Sequence, residues 1–313
     1  MHWLELPAVK WALPLPLLAI IAPIVWWFFR STWREIDAEA LELRRDLAAR
    51  GETDYRPLVA LTITTLVLIM QEYYGRGDFF DQAVRPWIGR RAQANPHGFW
   101  KFFFPRDHLA DFGLRGTGFR AHAWIYATCV VVMVPVLWLV SYQREFYEFY
   151  PMYKMAGRSW LDFISWELLY IGQFFALEIF FRGFWLRAMR TFGSGAIWSM
   201  VVPYCMIHYG KPYLEASGAM VAGVVLGSLA MRTRSIYAGF LVHGTVAILM
   251  DVLALYRRHA LPTALTPTGR HHVVFLYWSS LLWFAWIVAL AVVAHKIWKT
   301  TRGRRLPAAA PGG

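Results

Sequence analysis

The chain has 313 residues, of which 58% are hydrophobic and 17% are charged, and its net charge is +12. A soluble globular domain is about 45–50% apolar and about 25% charged, so this composition excludes that class and indicates an integral membrane protein. The basic residues concentrate in loops and in the C-terminal tail, without an aromatic–basic recognition module. This pattern favours membrane lipids and excludes nucleic acid as a partner. The two cysteines lie in apolar runs and predict no disulfide framework.

The apolar residues form about eight runs, and a membrane-spanning helix needs about 20 such residues. The sequence therefore predicts an all-α polytopic membrane protein. The runs cover residues 11–29, 57–73, 121–142, 161–189, 195–209, 216–231, 236–256 and 272–297. The run at 195–209 is short for a full crossing and predicts a tilted or part-way helix. The first run carries no Ala-x-Ala cleavage site and is interpreted as a retained anchor.

Three regions follow from this pattern: an N-terminal membrane region (1–158), a core (159–256), and a last span with a basic, disordered tail (257–313). Within the first region, residues 31–56 mix both charges around a partial apolar stripe and predict a surface-lying helix between two spans. Residues 74–120 are aromatic and rich in Gly and Pro, which indicates an interfacial or re-entrant element. Counting basic residues on alternating sides favours both termini in the cytoplasm.

Isolated polar residues interrupt the apolar runs of the core. Glu178 and Arg182 are four residues apart, so they share one helix face and can pair. His208 and His243 each stand in a separate apolar run. A charge inside a membrane costs several kcal/mol unless it is paired, so these residues are functional candidates, although a structural ion pair or a satisfied core histidine would look the same. Together, one carboxylate and two imidazoles can bind and deprotonate a water, with or without a divalent metal.

These residues form motifs that resemble those of the CAAX prenyl endopeptidase and bacteriocin-processing family of intramembrane proteases. The matching motifs are Glu178-x-x-x-Arg182-Gly183, Tyr204-x-x-x-His208 and His243. The family pattern is Glu-Glu-x-x-x-Arg, then Phe-x-x-x-His, then His-x-x-x-Asn or Asp, on successive membrane helices, and the resemblance covers about residues 160–255. It implies catalytic roles for Glu178, Arg182, His208 and His243. A divalent metal such as zinc, if one is bound, is expected on His208, His243 and Glu178.

Three positions depart from the family pattern. Leu177 stands in place of the first Glu, and Tyr204 stands in place of Phe. Ala247 stands in place of the Asn or Asp one turn after His243. Since the first Glu is expected to activate the water, the change at Leu177 bears directly on activity.

Two repairs of the missing acid stay open at this point. Glu178 can itself be the base, or Glu215 can supply the second carboxylate. Asp251 lies two turns beyond His243 and is rotated by about 80° around the helix, so it is interpreted as a structural or cavity-lining acid.

The resemblance implies an intramembrane endopeptidase whose partners are proteins or peptides with a hydrophobic or lipidated C-terminal tail. The expected location is a bacterial inner membrane. The alternative is a catalytically inactive member that acts as a membrane scaffold or binds a partner, and Leu177 and Ala247 are the evidence for it. A transporter is not favoured, because no inverted repeat is evident.

Overall fold

The computed structural model describes residues 6–69, 109–115, 119–267, 281 and 285. The described chain is helical, with short 3₁₀ turns at Leu109–Phe112, Ala156–Arg158 and Arg190–Phe192. The helices are α1 (Pro7–Ala12), α2 (Pro14–Ala49), α3 (Arg56–Ile69), α4 (Phe119–Val140), α5 (Arg144–Phe149), α6 (Trp160–Ala188), α7 (Gly195–Met206), α8 (Tyr213–Thr233) and α9 (Tyr237–Arg257).

Five of these helices are long and apolar enough to cross a membrane, namely α2, α4, α6, α8 and α9. The two shorter apolar helices are α3 and α7. The 12 residues of α7 extend about 18 Å, less than the roughly 30 Å of a hydrocarbon core, as expected for a part-way helix. The all-α polytopic membrane fold is thus confirmed. The predicted span at 272–297 and most of the 74–120 element lie outside the described residues.

Helix α2 contradicts the prediction of a separate surface helix. Pro14–Ala49 is one helix of 36 residues, so the charged segment continues the first span without a break. Ser31, which could have capped a new helix, lies inside α2. The cause is the absence of Gly and Pro between Ser31 and Ala49, since those residues are the ones that interrupt helices. The helix ends before Gly51, whose φ of +65° suits the left-handed position that often follows a helix.

The charged half of α2 lies beside the loops that precede α7 and α9. Asp37 Oδ1 accepts a hydrogen bond from the Ser194 backbone N–H at 2.7 Å. Arg234 Nη2 lies 3.0 Å from Glu39 Oε2. We call this end of the molecule the Arg234 end, and we call the opposite end, where α4 and α9 finish, the Tyr150 end.

If every apolar run crosses the membrane once, residues 31–56 and the loop before α9 lie on opposite sides of the membrane. The contact between Glu39 and Arg234 places them at the same end, so that prediction is wrong. The segment 109–115 also lies at the Arg234 end, because the Gly113 carbonyl accepts from the Ile236 backbone N–H at 3.0 Å. Arg56, which follows α2, and the segment 109–115 therefore lie at the same end of the molecule.

Two glycines bring α7 close to α8. A Cβ added at Gly223 would lie 3.0 Å from Val201 Cγ2, and one added at Gly227 would lie 2.9 Å from Met200 Cε. Because these glycines are four residues apart, they lie on one face of α8. A Cβ at Gly218, by contrast, would meet nothing within 4 Å.

Helices α6 and α9 run antiparallel and carry polar residues at two levels of their interface. At the first level, Glu178 of α6 contacts His243 of α9. At the second level, which is nearer the Tyr150 end, Trp166 Nε1 donates to Asp251 Oδ2 at 2.7 Å. The first level contains the residues that the sequence singled out.

Candidate active site

Glu178 is the centre of the site and has no exposed surface. Its Oε1 atom lies 3.1 Å from Arg182 Nη1, so the pair predicted from the four-residue spacing forms. The same oxygen lies 3.1 Å from His243 Nδ1. One carboxylate oxygen therefore joins α6 to α9.

Arg182 lies in a π-helical stretch of α6, Ile179–Trp185. Such stretches widen the helix by one residue per turn and occur often at functional sites. The backbone of the segment 109–115 approaches α6 here, since a Cβ at Gly183 would collide with the Phe112 carbonyl oxygen. The neighbouring Gly113 carbonyl holds the start of α9. This short segment therefore ties the Arg182 turn of α6 to the helix that carries His243.

Tyr204 of α7 packs against the other polar groups of the site. Its ring centroid lies 4.2 Å from Arg182 Cζ, which is a cation–π contact. The same centroid is 4.7 Å from the His208 ring and 6.4 Å from the His243 ring. We call Glu178, Arg182, Tyr204, His208 and His243 the Glu178 cluster.

In both imidazoles of the cluster, the Nδ1 atom makes a hydrogen bond. His208 Nδ1 lies 2.7 Å from the Tyr204 carbonyl oxygen, to which it donates. His243 Nδ1 donates to the Glu178 carboxylate. Each ring then presents its Nε2 atom as a free acceptor, because a neutral imidazole carries only one N–H. The His243 side chain is 13% exposed, so the cluster is reachable at this residue.

Apolar packing fills the two positions at which the family has further polar groups. Leu177 packs against the cluster of buried side chains that includes Phe181 and Tyr204. Ala247 is 2% exposed and packs with Phe174. Neither position supplies a polar group to the site.

Neither of the proposed supporting acids completes the site. Glu215 Oε1 pairs with Lys211 Nζ at 2.8 Å, and its Oε2 accepts from the Tyr150 hydroxyl. Asp251 accepts from Trp166. Within the described part of the chain, neither acid makes a hydrogen bond or ion pair with the Glu178 cluster. These contacts give no support to the repair through Glu215, and the interpretation of Asp251 as a structural or cavity-lining acid stays a prediction.

Tyr150 was missed by the sequence analysis, because it lies in a loop 65 residues from its partner Glu215. Burial, and then the charge of the Glu215 carboxylate, raise the pKa of the Tyr150 phenol above its ordinary value. The phenol therefore stays protonated and anchors the start of α8 to the loop after α5.

The donor set fits a metal only in part. Among the residues that the structure describes, no three His, Cys, Asp or Glu side chains form a metal-binding group. A metal-binding histidine usually donates its second ring N–H to a carboxylate or a backbone carbonyl, as His243 and His208 both do. Two imidazole ligands are thus available through Nε2. Glu178 bonds the Nδ1 atom of His243, on the side of the ring away from Nε2. It therefore does not lie where the third metal ligand was expected.

Fold and site together define a polytopic membrane protein with a carboxylate–histidine site between its helices. Residues 159–249 match the family described as Rce1-like, Type II CAAX prenyl endopeptidase Rce1-like. The matched residues include the whole Glu178 cluster, and the resemblance drawn from the motifs is confirmed for this region. Searches of curated proteins and of solved structures found no match to the chain.

Proposed function

We propose that the protein is an intramembrane endopeptidase that cleaves near the C-terminus of proteins or peptides with a hydrophobic or lipidated tail. The observation that carries this proposal is the hydrogen bond between Glu178 Oε1 and His243 Nδ1 inside a buried cluster. A carboxylate behind a histidine fixes the tautomer of the ring and stabilises its protonated form, which is the arrangement of a general base. The family match supports protease chemistry at the level of the family.

In the proposed reaction, His243 Nε2 removes a proton from a water molecule, and the water oxygen bonds to the scissile carbonyl carbon. Glu178 orients His243 and stabilises the imidazolium, while Arg182 holds Glu178 in place. The Nε2 atom of His208 accepts a hydrogen bond from the same water and aims it. The carbon–nitrogen bond then breaks, and His243 returns its proton to the leaving amine. This geometry favours an orienting role for Glu178 over the role of the base itself.

A bound divalent cation such as zinc would be held by His208 and His243 through Nε2, and it would polarise the carbonyl of the substrate. The location of the cluster on membrane-spanning helices supports a substrate that is delivered by the membrane. We infer a bacterial inner membrane as the site of action, in keeping with the bacteriocin-processing members of the family.

A scaffold without catalytic activity is the second candidate. The observation that favours it is the apolar packing of Leu177 and Ala247, which leaves Glu178 as the one carboxylate of the cluster. In such a protein the Glu178 cluster would serve to hold α6, α7 and α9 together.

The test is cleavage of tailed reporter proteins in reconstituted membranes. Wild type is compared with Glu178→Gln, His208→Ala and His243→Ala, each with and without a chelator. We expect loss of product in all three variants, by a factor of about 10² or more if general-base catalysis is removed. His259→Asn is the matched control, because His259 is exposed and Asn tolerates its φ of +53°.

Each outcome separates the alternatives. Cleavage that survives the loss of either histidine of the cluster would contradict the proposed site. Loss of cleavage on chelation would assign a metal to His208 and His243. A folded wild type that cuts none of the reporters, yet binds their tails, would favour the scaffold.

A further inference from the structure

The second oxygen of Glu178 faces a residue that none of the motifs includes. Glu178 Oε2 is buried and has no hydrogen-bond partner. A Cβ added at Gly239 of α9 would lie 2.8 Å from this oxygen and 3.5 Å from Glu178 Cδ. Because real Cβ atoms do not approach an oxygen so closely, any side chain at Gly239 would push the carboxylate away from α9.

Gly239 lies one helical turn before His243 on the same face of α9. Helix α9 therefore contacts both oxygens of one carboxylate. The His243 imidazole donates a hydrogen bond to Oε1. Oε2 lies in the space next to the Gly239 backbone that a side chain would otherwise occupy. The position of Glu178 relative to the imidazole thus depends on the space at Gly239.

The backbone conformation does not explain this glycine. Gly239 is the third residue of helix α9 and is not among the glycines with positive φ. Glycine has a lower helix propensity than alanine, by up to about 1 kcal/mol. The close approach of Glu178 is the physical reason for a glycine at this place.

We propose that Gly239 is a positioning residue of the site: its missing side chain lets the Glu178 carboxylate reach the place where it orients His243. This inference rests on the proposed function for its catalytic consequence. Its geometric content, that the size of residue 239 sets the Glu178–His243 hydrogen bond, can be measured without any substrate.

The first measurement is the rate of reporter cleavage by Gly239→Ala. The variant should fold, because the atom in its way is the end of a flexible side chain. We expect kcat to fall by about 10²-fold, the order of loss that a 1 Å misplacement can cause, with KM unchanged. Gly218→Ala is the matched control, since its new Cβ would meet nothing within 4 Å. Glu178→Asp shortens the acid by one methylene and should restore part of the activity lost in Gly239→Ala.

The second measurement is the nitrogen-15 spectrum of the histidines in lipid nanodiscs, with His243 assigned from the His243→Gln variant. We expect the Nδ1–H signal of His243 to shift in Gly239→Ala, to move back in Gly239→Ala/Glu178→Asp, and to stay in place in Gly218→Ala. A signal and a kcat unchanged in Gly239→Ala would overturn the inference, and so would equal changes in both alanine variants. If the signal responds as expected while wild type cleaves nothing, the positioning role stands and the proposed protease function fails.

Discussion

The Arg182–Glu178 pair differs from the Arg234–Glu39 pair in its complete burial. Both side chains have no exposed surface, whereas those of Arg234 and Glu39 are 65% and 67% exposed. Removing one partner of a buried pair leaves an uncompensated charge, which costs about 3–5 kcal/mol. An exposed pair contributes only about 0–1 kcal/mol.

We therefore expect Arg182→Met to lower the free energy of unfolding by about 3–5 kcal/mol, measured by denaturation in detergent micelles. The control Glu39→Gln should change it by less than about 1 kcal/mol. Adding Glu178→Gln to Arg182→Met should recover part of the loss, because the stranded charge disappears. Equal losses in Arg182→Met and Glu39→Gln would show that burial of the pair does not determine its contribution.

At this scale the sequence predicted contacts within one helix and missed contacts between helices. The pairing of Glu178 with Arg182 follows from a four-residue spacing. The partners of Glu215 and Asp251 do not, because Tyr150 and Trp166 lie 65 and 85 residues away from them along the chain. Gly239 was missed for the same reason, since only the packing of α6 on α9 shows what it faces.

At the scale of elements, the π-helical turn of α6 depends on a glycine. The Phe112 carbonyl occupies the space that a side chain at Gly183 would need. Since that obstacle is backbone, Gly183→Ala must displace either α6 or the segment 109–115.

We expect Gly183→Ala to destabilise the protein by about 1–3 kcal/mol, the usual cost of overpacking, as read from its thermal unfolding. Gly218→Ala should be neutral or slightly stabilising, because alanine favours the helix and nothing lies in its way. A Gly183→Ala variant as stable as Gly218→Ala would show that the two segments do not press on each other.

Element bounds were predictable where apolar length determines them. The run at 161–189 became Trp160–Ala188, and the run at 236–256 became Tyr237–Arg257. The close approach of Phe112 to Gly183 in the π-helical turn was not predictable, because the two residues are far apart along the chain. The continuity of α2 could have been read from the absence of Gly and Pro between Ser31 and Ala49, but the change in charge at Ser31 suggested a boundary.

At the scale of the whole molecule, one end carries more basic residues than the other. The Arg234 end carries Arg44, Arg45, Arg50, Arg56, Arg115, Arg187, Arg190, Arg232 and Arg234. The Tyr150 end carries Arg144, Lys154, Arg158, Lys211, Arg257 and Arg258. The positive-inside rule favours the end with more arginine and lysine in the cytoplasm. We expect the Arg234 end there, which places the start of α2 on the far side, contrary to the expectation from alternating loops.

Labelling with a membrane-impermeant maleimide tests this orientation in a background where Cys129 and Cys205 are replaced by serine. Met152→Cys should react in intact spheroplasts, because Met152 is exposed at the Tyr150 end. Arg45→Cys should react only after permeabilisation. The reverse pattern would invert the protein in the membrane and move its site to the opposite leaflet.

The position of His243 along α9 also limits how far a substrate must enter the bilayer. His243 is six residues after the first residue of α9, Tyr237, which corresponds to about 9 Å along the helix axis. An extended peptide rises about 3.3 Å per residue, so about three residues cover that depth. If the start of α9 marks the membrane boundary, the first turns of the helix set the depth of His243 below that boundary. The scissile bond of any substrate that enters from this end would then be selected by its distance from the boundary, before its side chains are read.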